Sequence, residues 1–189
     1  MSIVKLKNPL TDNYQELKKN ILDGEFAWYW HKQLLNKDRR WFNNSDNTQN
    51  DNYGIYSHSF LYRPTRDCLY PKETDPNCRL FHAVVVEIMQ YNNIEIDMIY
   101  RMCANCVHPT EKNIAGPEHT DHYFSHKNLI VYLTNFKGGA TWCEGKTYNG
   151  KEDEIITFEG KHKFYPPIDN RRVVLVVTYG ILDKKYQTC

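Results

Sequence analysis

The residues of this chain that could do chemistry begin with a short stretch, Glu118-His119-Thr120-Asp121-His122. His119 and Asp121 are two positions apart, so on an extended strand both side chains point to one face. An imidazole and a carboxylate on a shared face supply two ligands of a metal site. His122 would face the other way, either supporting that site or lying at the surface.

A third ligand must come from elsewhere, and His162 is the first candidate. It lies between Gly160 and Pro166-Pro167, a turn context that suits a ligand at a strand end. His126, five residues after Asp121, is the alternative. Two histidines and one carboxylate with open positions suit an Fe(II) site that reacts with O2. The same ligands with a bound water could hold Zn²⁺, so a zinc-dependent hydrolase is a further hypothesis.

A second functional candidate is a cation at the start of an apolar strand. Arg172 precedes Val173-Val174-Leu175-Val176-Val177, where an unpaired buried guanidinium would be costly. A guanidinium binds a carboxylate through two parallel hydrogen bonds, which a lysine cannot do. Either Arg172 binds a carboxylate or it lies at the strand end in water, and we expect the first. Arg171 would point to the other face and is the alternative if the register shifts by one residue.

Two helices are predicted in the first half of the chain. The first spans 11–23, with Thr11 or Asp12 as its cap and an apolar stripe on one face. The second starts at Asp75-Pro76, with Asp75 as its cap. Between them, the polar segment 36–53 is predicted to be a long loop that could cover the site. The aromatic cluster 26–30 either plugs one end of the core or walls a substrate pocket.

Strands dominate the rest of the chain. Extended patterns separated by Gly, Asn and Pro turns cover 53–62, 94–107, 127–133, 140–143, 154–158 and 172–179. The order predicts a mainly β sandwich or barrel with helices packed outside. The length of the chain fits a single domain, 1–189. Within this domain, residues 1–96 are expected to form supporting elements and a lid, and residues 97–180 the catalytic core.

Composition excludes several classes of protein. The 24 basic and 23 acidic residues nearly cancel, so no electrostatic signal for nucleic acid or an anionic membrane is present. No apolar run reaches the length of a spanning helix and the N-terminus lacks a signal-peptide pattern, which favours a cytoplasmic protein. The six cysteines are therefore expected to be free thiols. Cys103 and Cys106 would point to opposite faces of a strand and are not expected to bind zinc.

Taken in order, the candidate residues form a longer pattern. His119 and Asp121 are followed by Tyr132-Leu133-Thr134-Asn135, Gly138-Gly139-Ala140-Thr141, His162 and Arg172. This order resembles Fe(II)/2-oxoglutarate-dependent oxygenases of the prolyl-hydroxylase-like branch, and is similar to small members encoded by phages. The resemblance covers roughly residues 97–180. The Tyr-Leu-Asn strand of that family is altered here, because Asn135 is displaced by one position.

The resemblance implies a double-stranded β-helix (jelly-roll) core with His119, Asp121 and His162 as iron ligands. It implies that Arg172 binds the distal carboxylate of 2-oxoglutarate and that Tyr132 donates a hydrogen bond to it. Asn105 is a weaker candidate for contact with this cosubstrate. The implied activity consumes O2 and releases succinate and CO2 while hydroxylating a peptide, with proline as one candidate residue, or a small molecule. The compartment would be the host cytoplasm for a phage protein. A non-catalytic metal-binding jelly-roll module is the alternative.

Overall fold

The computed structural model of the protein describes residues 3–32, 54–65, 69–111 and 113–181, so the predicted loop 36–53 lies outside the described residues. The described helices are α1 (Asp12–Leu22) and α2 (Cys78–Tyr91). The described strands are β1 (Val4–Leu6), β2 (Tyr29–His31), β3 (Ile55–Tyr62), β4 (Lys72–Glu73), β5 (Ile96–Val107), β6 (Lys127–Tyr132), β7 (Thr141–Cys143), β8 (Lys146–Tyr148), β9 (Ile155–Glu159), β10 (His162–Phe164) and β11 (Arg172–Ile181).

The strands form two antiparallel sheets. The larger sheet has the order β1-β9-β6-β11-β5-β3-β2, and β4 pairs with β3. The smaller sheet has the order β10-β7-β8. The long strand β11 lies at the centre of the larger sheet between β5 and β6, where its Val-rich sequence is buried on both faces. This arrangement confirms the predicted mainly β fold with a jelly-roll core.

The two faces of the larger sheet have different partners. Leu129, Val131 and Leu175 belong to a cluster that includes apolar side chains of both helices. The alternating residues Ile130 and Val174 belong to a second cluster that includes Cys143 of β7. Because side chains alternate along a strand, one face packs against the helices and the other faces the smaller sheet. The candidate site lies on this second face.

The first helix begins as predicted, and the second does not. Thr11 caps α1 by accepting a hydrogen bond from the backbone of Tyr14, 3.3 Å away. α2 starts at Cys78 rather than at Asp75-Pro76, with Asn77 in the cap position. The Asp75 carboxylate instead contacts His58 Nε2 at 3.0 Å and accepts from the Asn77 backbone at 2.7 Å. These contacts hold Asp75 in a turn before the helix, so its prediction as the cap was wrong.

Short strands are the elements that sequence patterns missed. β1, β2, β4, β8 and β10 have two or three residues each, too few to show a period.

The aromatic cluster 26–30 is divided: Phe26 and Trp28 pack against the helix-side core, whereas Tyr29 and Trp30 are exposed. No helix of the described residues is long and apolar enough to cross a membrane.

The described cysteines agree with the expectation of free thiols. The four that are described, Cys78, Cys103, Cys106 and Cys143, are free thiols, and Cys68 and Cys189 lie outside the described residues. Cys106 belongs to the helix-side cluster and Cys103 to the opposite one. These two thiols therefore do not share a metal.

Candidate metal and cosubstrate site

The segment that carries His119 and Asp121 runs beside the start of β10, and this brings three candidate ligands together. His119 and His162 pair through two backbone hydrogen bonds, each 2.9 Å long. Asp121 lies two residues after His119 in the sequence. One ligand atom from each of His119, Asp121 and His162 lies within 4.8 Å of the other two. His162 starts β10, so its position at a strand end matches the sequence expectation. A cluster of two imidazoles and one carboxylate therefore exists in the folded chain.

Hydrogen bonds orient the two imidazoles. Nδ1 of His119 donates to the carbonyl oxygen of Pro117 at 3.0 Å, and Nδ1 of His162 points to the carbonyl of Gly160 at 3.4 Å. A backbone acceptor on Nδ1 leaves the Nε2 lone pair available to a metal. Burial, with a smaller contribution from neighbouring His119, lowers the pKa of His162 to about 4, so its imidazole is neutral at pH 7. Neutral imidazole is the form that binds metal.

The carboxylate of Asp121 has two different oxygens. Oδ1 accepts a hydrogen bond from Nη1 of Arg101 at 2.8 Å and lies 3.5 Å from Nη2 of Arg63. Oδ2 is buried without a hydrogen-bond partner and lies 3.5 Å from Nε2 of His162. Burial opposes ionisation of Asp121, but Arg101, His162 and Arg63 together hold the pKa of this carboxyl well below its usual range. The orphaned oxygen and the two Nε2 atoms form a donor set that fits Fe(II).

A buried cation occupies the other end of the same space. Arg172 is 2% exposed, and its Nε donates to the carbonyl oxygen of Gly139 at 3.0 Å. Its Nη2 donates to the Thr141 hydroxyl at 3.0 Å, and the Tyr132 hydroxyl lies 2.8 Å from that same oxygen. Burial raises the pKa of Tyr132, partly offset by Arg172, so its phenol is neutral and able to donate. These three residues form a cation-and-hydroxyl group suited to a carboxylate ligand.

The metal candidates and this cation-and-hydroxyl group share one cavity. A space of about 90 Å³ is lined by His119, Asp121, His162 and Arg172, together with Asn105 and Thr141. The remaining lining residues include apolar side chains such as Ile130, Phe158, Phe164, Val174 and Val176. An acidic ligand that entered this cavity could therefore contact the metal candidates at one end and Arg172 at the other.

Two glycines give these side chains room. A Cβ atom on Gly139, whose φ is +63°, would lie 2.7 Å from the Phe136 ring and 3.2 Å from Cδ of Arg172. A Cβ atom on Gly150 would lie 2.3 Å from the Tyr132 ring. Because those distances are below van der Waals contact, a larger residue at either position would displace the side chains behind it.

A larger and more apolar pocket lies beside the first. It has a volume of about 380 Å³, and Arg63 and Asp121 line both spaces. Its other lining residues are mostly aromatic or apolar: Tyr62, Pro64, Thr65, Leu69, Met98, Tyr100, His122, Tyr123 and Phe124. None of the residues 26–30 lines it, so the described aromatic cluster does not form this wall.

The remaining candidates have separate positions. His126 is buried, with its Nδ1 2.8 Å from the Phe124 carbonyl oxygen, and it is not among the three residues whose ligand atoms lie within 4.8 Å of one another. His122 is buried rather than at the surface, with Nε2 2.7 Å from the Thr178 hydroxyl. Arg171 is exposed while Arg172 is buried, which answers the question of register. The displaced Asn135 is exposed and donates to Glu152, away from the cavity.

Sequence reasoning missed the partners that hold these residues. Arg101 and Arg63 contact Asp121 from β5 and from the segment after β3, and Thr141 joins Arg172 to Tyr132. One signal was present for Arg101, because a charged residue within a largely apolar strand requires a partner. No sequence pattern signalled the contacts of Arg63.

Comparison with known proteins gives fold-level matches. No protein-family model and no curated protein matches the sequence. An oxidoreductase of the 2OG-Fe(II) oxygenase family from Burkholderia pseudomallei matches with a TM-score of 0.65 and 13% identity, over 94% of this chain and 85% of that chain.

Two hydroxylase structures are also similar. The viral collagen prolyl hydroxylase of Paramecium Bursaria Chlorella virus-1 has a TM-score of 0.54 and 12% identity, over 96% of this chain and 97% of that chain. The Trichoplax adhaerens prolyl hydroxylase, in complex with a hypoxia inducible factor peptide fragment, has a TM-score of 0.55 and 14% identity, over 95% and 83%. The chain therefore has the jelly-roll fold of the 2OG-Fe(II) oxygenases.

Proposed function

We propose that this protein is an Fe(II)- and 2-oxoglutarate-dependent dioxygenase that hydroxylates a peptide or small-molecule substrate. The observation that carries the proposal is the shared cavity, which has His119, Asp121 and His162 at one end and buried Arg172 at the other. A hydrolytic metal site does not need a buried carboxylate-binding cation. The cavity therefore favours the dioxygenase over a zinc hydrolase, and over a module that binds only metal.

The proposed ligand roles follow the available atoms. Nε2 of His119, Nε2 of His162 and Oδ2 of Asp121 would hold Fe(II). When bound, Fe(II) and 2-oxoglutarate supply the oxidising chemistry: O2 oxidises the cosubstrate to succinate and CO2, and one oxygen atom is transferred to the substrate. Arg101 keeps Oδ1 of Asp121 occupied, so that Oδ2 remains the oxygen directed to the metal.

The cosubstrate roles follow the polar groups at the other end. Arg172 would bind the distal carboxylate of 2-oxoglutarate, with the hydroxyls of Tyr132 and Thr141 as further donors. Asn105 lines the same cavity and would contact the cosubstrate from β5. Apolar neighbours such as Val174 and Phe164 exclude water, which strengthens each of these charged contacts.

The larger pocket is the proposed substrate site. It shares Arg63 and Asp121 with the smaller cavity but is not lined by Arg172, so a substrate held there would lie next to the proposed metal ligand Asp121. Its aromatic rings suit an apolar segment or a ring, and flat rings of this kind bind extended proline-containing peptides well. Two of the similar structures are named prolyl hydroxylases, which supports a peptide, with proline as one candidate residue.

The test is an anaerobic titration of Fe(II)-loaded protein with 2-oxoglutarate, recorded by visible absorption. We expect a metal-to-ligand charge-transfer band in the wild type, its loss in His162→Ala, and a requirement for much more 2-oxoglutarate in Arg172→Ala. Arg171→Ala is the matched control, because Arg171 is adjacent in sequence but exposed. It should titrate like the wild type.

The alternatives predict other results. Protein that binds Fe(II) but develops no band with 2-oxoglutarate would reject the cosubstrate assignment and favour the metal-binding module. Protein that prefers Zn²⁺ and hydrolyses an ester or amide without 2-oxoglutarate would favour the hydrolase. Equal responses of Arg171→Ala and Arg172→Ala would reject the role given to Arg172.

A further inference from the structure

One polar residue in the cavity has no role in the arrangement described so far. Asn128 lies on β6, is 1% exposed and lines the same cavity as the three candidate ligands. Neither its Nδ2 nor its Oδ1 has a hydrogen-bond partner. Among the described residues, the buried side-chain atoms without a partner belong to Asp121, His126 and Asn128 alone. The orphaned oxygen of Asp121 is accounted for by the proposed metal, whereas the amide of Asn128 is not.

The strand register places Asn128 at the metal end of the cavity. Thr178 on β11 pairs with Arg101 on one side and with Asn128 on the other, and Asn128 pairs with Phe158 on β9. Arg101 contacts Asp121, and the Phe158 ring packs against the His162 ring with centroids 5.1 Å apart. One row across β5, β11, β6 and β9 therefore contains Arg101, Thr178, Asn128 and Phe158. The residues at its two ends, Arg101 and Phe158, contact the candidate ligands Asp121 and His162.

The distal end of the cavity is separated from this row along the strand. Tyr132 lies four residues after Asn128 on β6, a distance of about 13 Å at about 3.3 Å per residue. Asn128 and Tyr132 face the same side because their positions differ by an even number. An elongated ligand with a carboxylate at Arg172 would thus extend from the Tyr132 region towards Asn128.

We propose that Asn128 is a second cosubstrate-binding residue, whose amide binds the 2-oxo acid end of 2-oxoglutarate. The proposal rests on the function proposed above and extends it to the end of the cosubstrate that Arg172 does not reach. The 2-oxo acid group carries only hydrogen-bond acceptors, and a carboxamide nitrogen offers two donors. An amide buried without a partner is unfavourable in the free protein, and a ligand that satisfies it recovers that loss on binding.

The experiment compares two ligands on Mn(II)-loaded protein, with binding followed by water-proton relaxation. 2-Oxoglutarate carries both ends of the cosubstrate, whereas 2-oxobutyrate carries the 2-oxo acid end without the distal carboxylate. We expect Asn128→Leu to raise the dissociation constants of both ligands by about tenfold, the effect of one lost hydrogen bond to a charged group. We expect Arg172→Gln to raise the dissociation constant of 2-oxoglutarate only.

A second readout uses the metal-free protein without ligand. If the amide has no partner there, Asn128→Leu melts at or above the wild-type temperature. Thr178→Val is the matched control from the same row: its hydroxyl already contacts Nε2 of His122 at 2.7 Å, so its removal should lower the melting temperature. Asn128→Ala removes the amide without adding bulk and provides the same comparison if the leucine variant misfolds.

The outcomes separate the two proposals. Wild type that binds Mn(II) and 2-oxoglutarate, together with unchanged dissociation constants in Asn128→Leu and Asn128→Ala, would overturn the role of Asn128 alone. A fall in melting temperature in both Asn128 variants would overturn it as well, because the amide would then have a partner in the free protein. Wild type that binds neither ligand would overturn the proposed function and this inference with it.

Discussion

Nη1 of Arg101 lies 2.8 Å from Oδ1 of Asp121, and this ion pair determines which oxygen of the carboxylate faces the two histidines. A carboxylate free to rotate could present either oxygen, or both, to a metal. Here one oxygen is held by a guanidinium and the other is left without a partner. The ion pair is therefore a positioning device for the candidate metal site, built from a strand twenty residues away in sequence.

Removing Arg101 should destabilise the metal-free protein. Arg101→Gln leaves the buried Asp121 carboxylate with less compensating charge, and we expect a loss of about 3 kcal/mol in the free energy of unfolding. Added Mn(II) should recover part of that loss, because the dication takes over the neutralisation of the carboxylate. Urea denaturation with and without Mn(II) measures both effects. Arg101→Lys, which keeps the charge, should have a free energy of unfolding between those of the wild type and Arg101→Gln. A free energy of unfolding equal to that of the wild type in Arg101→Gln would contradict this role of Arg101.

The stability of the metal-free protein should rise with pH between about 4 and 6.5. Burial lowers the pKa of His162 to about 4 and that of His122 to about 3, whereas a histidine in the unfolded chain titrates near about 6.5. Between these values the unfolded chain binds protons that the folded protein excludes. The free energy of unfolding should therefore rise by up to about 1.4 kcal/mol per pH unit for each histidine. The pKa of Asp121 is lowered, so its contribution is lost only at more acidic pH.

Urea titrations at a series of pH values test this dependence. His122→Leu should reduce the slope of the free energy of unfolding against pH by the contribution of about one proton, which is about 1.4 kcal/mol per pH unit. His82→Gln, at an exposed position on α2, should leave the slope unchanged. Equal stability of the metal-free wild type at pH 4.5 and pH 7 would show that the two imidazoles are not buried in their neutral form.

The hydroxyl of Thr141 should matter for both stability and cosubstrate binding. Thr141→Val removes the oxygen that accepts from Nη2 of Arg172 and contacts the Tyr132 hydroxyl. We expect a loss of about 1–3 kcal/mol in the free energy of unfolding and about a tenfold rise in the dissociation constant of 2-oxoglutarate. Thr147→Val, at an exposed position of β8, serves as the control in the same denaturation and binding assays. Equal free energies of unfolding and equal dissociation constants of 2-oxoglutarate in the two variants would show that the Thr141 hydroxyl contributes to neither property.

Gly150 should be intolerant of any side chain. In Gly150→Ala the new Cβ would lie 2.3 Å from the Tyr132 ring, so the ring must move. Overpacking of this kind costs about 1–3 kcal/mol, and we expect weaker binding of 2-oxoglutarate besides. Gly24→Ala is the matched control, since nothing lies within 4 Å of its added Cβ. Thermal unfolding of both variants should show a loss for Gly150→Ala and no loss for Gly24→Ala.

Substitutions in the larger pocket should separate substrate turnover from cosubstrate binding. Tyr123 is 68% exposed at the edge of this pocket and lies away from the Arg172 end. Tyr123→Ala should raise the KM for a peptide substrate by about tenfold, as expected for loss of one aromatic contact, while the dissociation constant of 2-oxoglutarate stays the same. Tyr91→Ala, at an exposed position on α2, is the control. If neither variant changes the KM, the substrate binds elsewhere.

Much of the fold was predictable from local patterns. The strand after Arg172 is apolar at every position from Val173 to Val177, and such a run is stable only when both faces are buried. α1 shows the helical stripe and a threonine cap. His119 and Asp121 were recognisable because their spacing of two places them on one side of an extended segment. Burial of Arg172 was expected because it opens this apolar strand, while its neighbour Arg171 faces outwards.

Tertiary structure decided what local patterns do not encode. The start of α2 depends on the contact between Asp75 and His58, seventeen residues away. The carboxylate of Asp121 is held by Arg101, and the row that contains Asn128 exists only once β5, β11, β6 and β9 are in register. The sequence therefore determined which residues can bind metal and carboxylate, because side-chain chemistry and periodicity are local properties. Which atoms face each other was decided by strand pairing, because hydrogen bonds between distant strands set the register and leave specific polar atoms without partners.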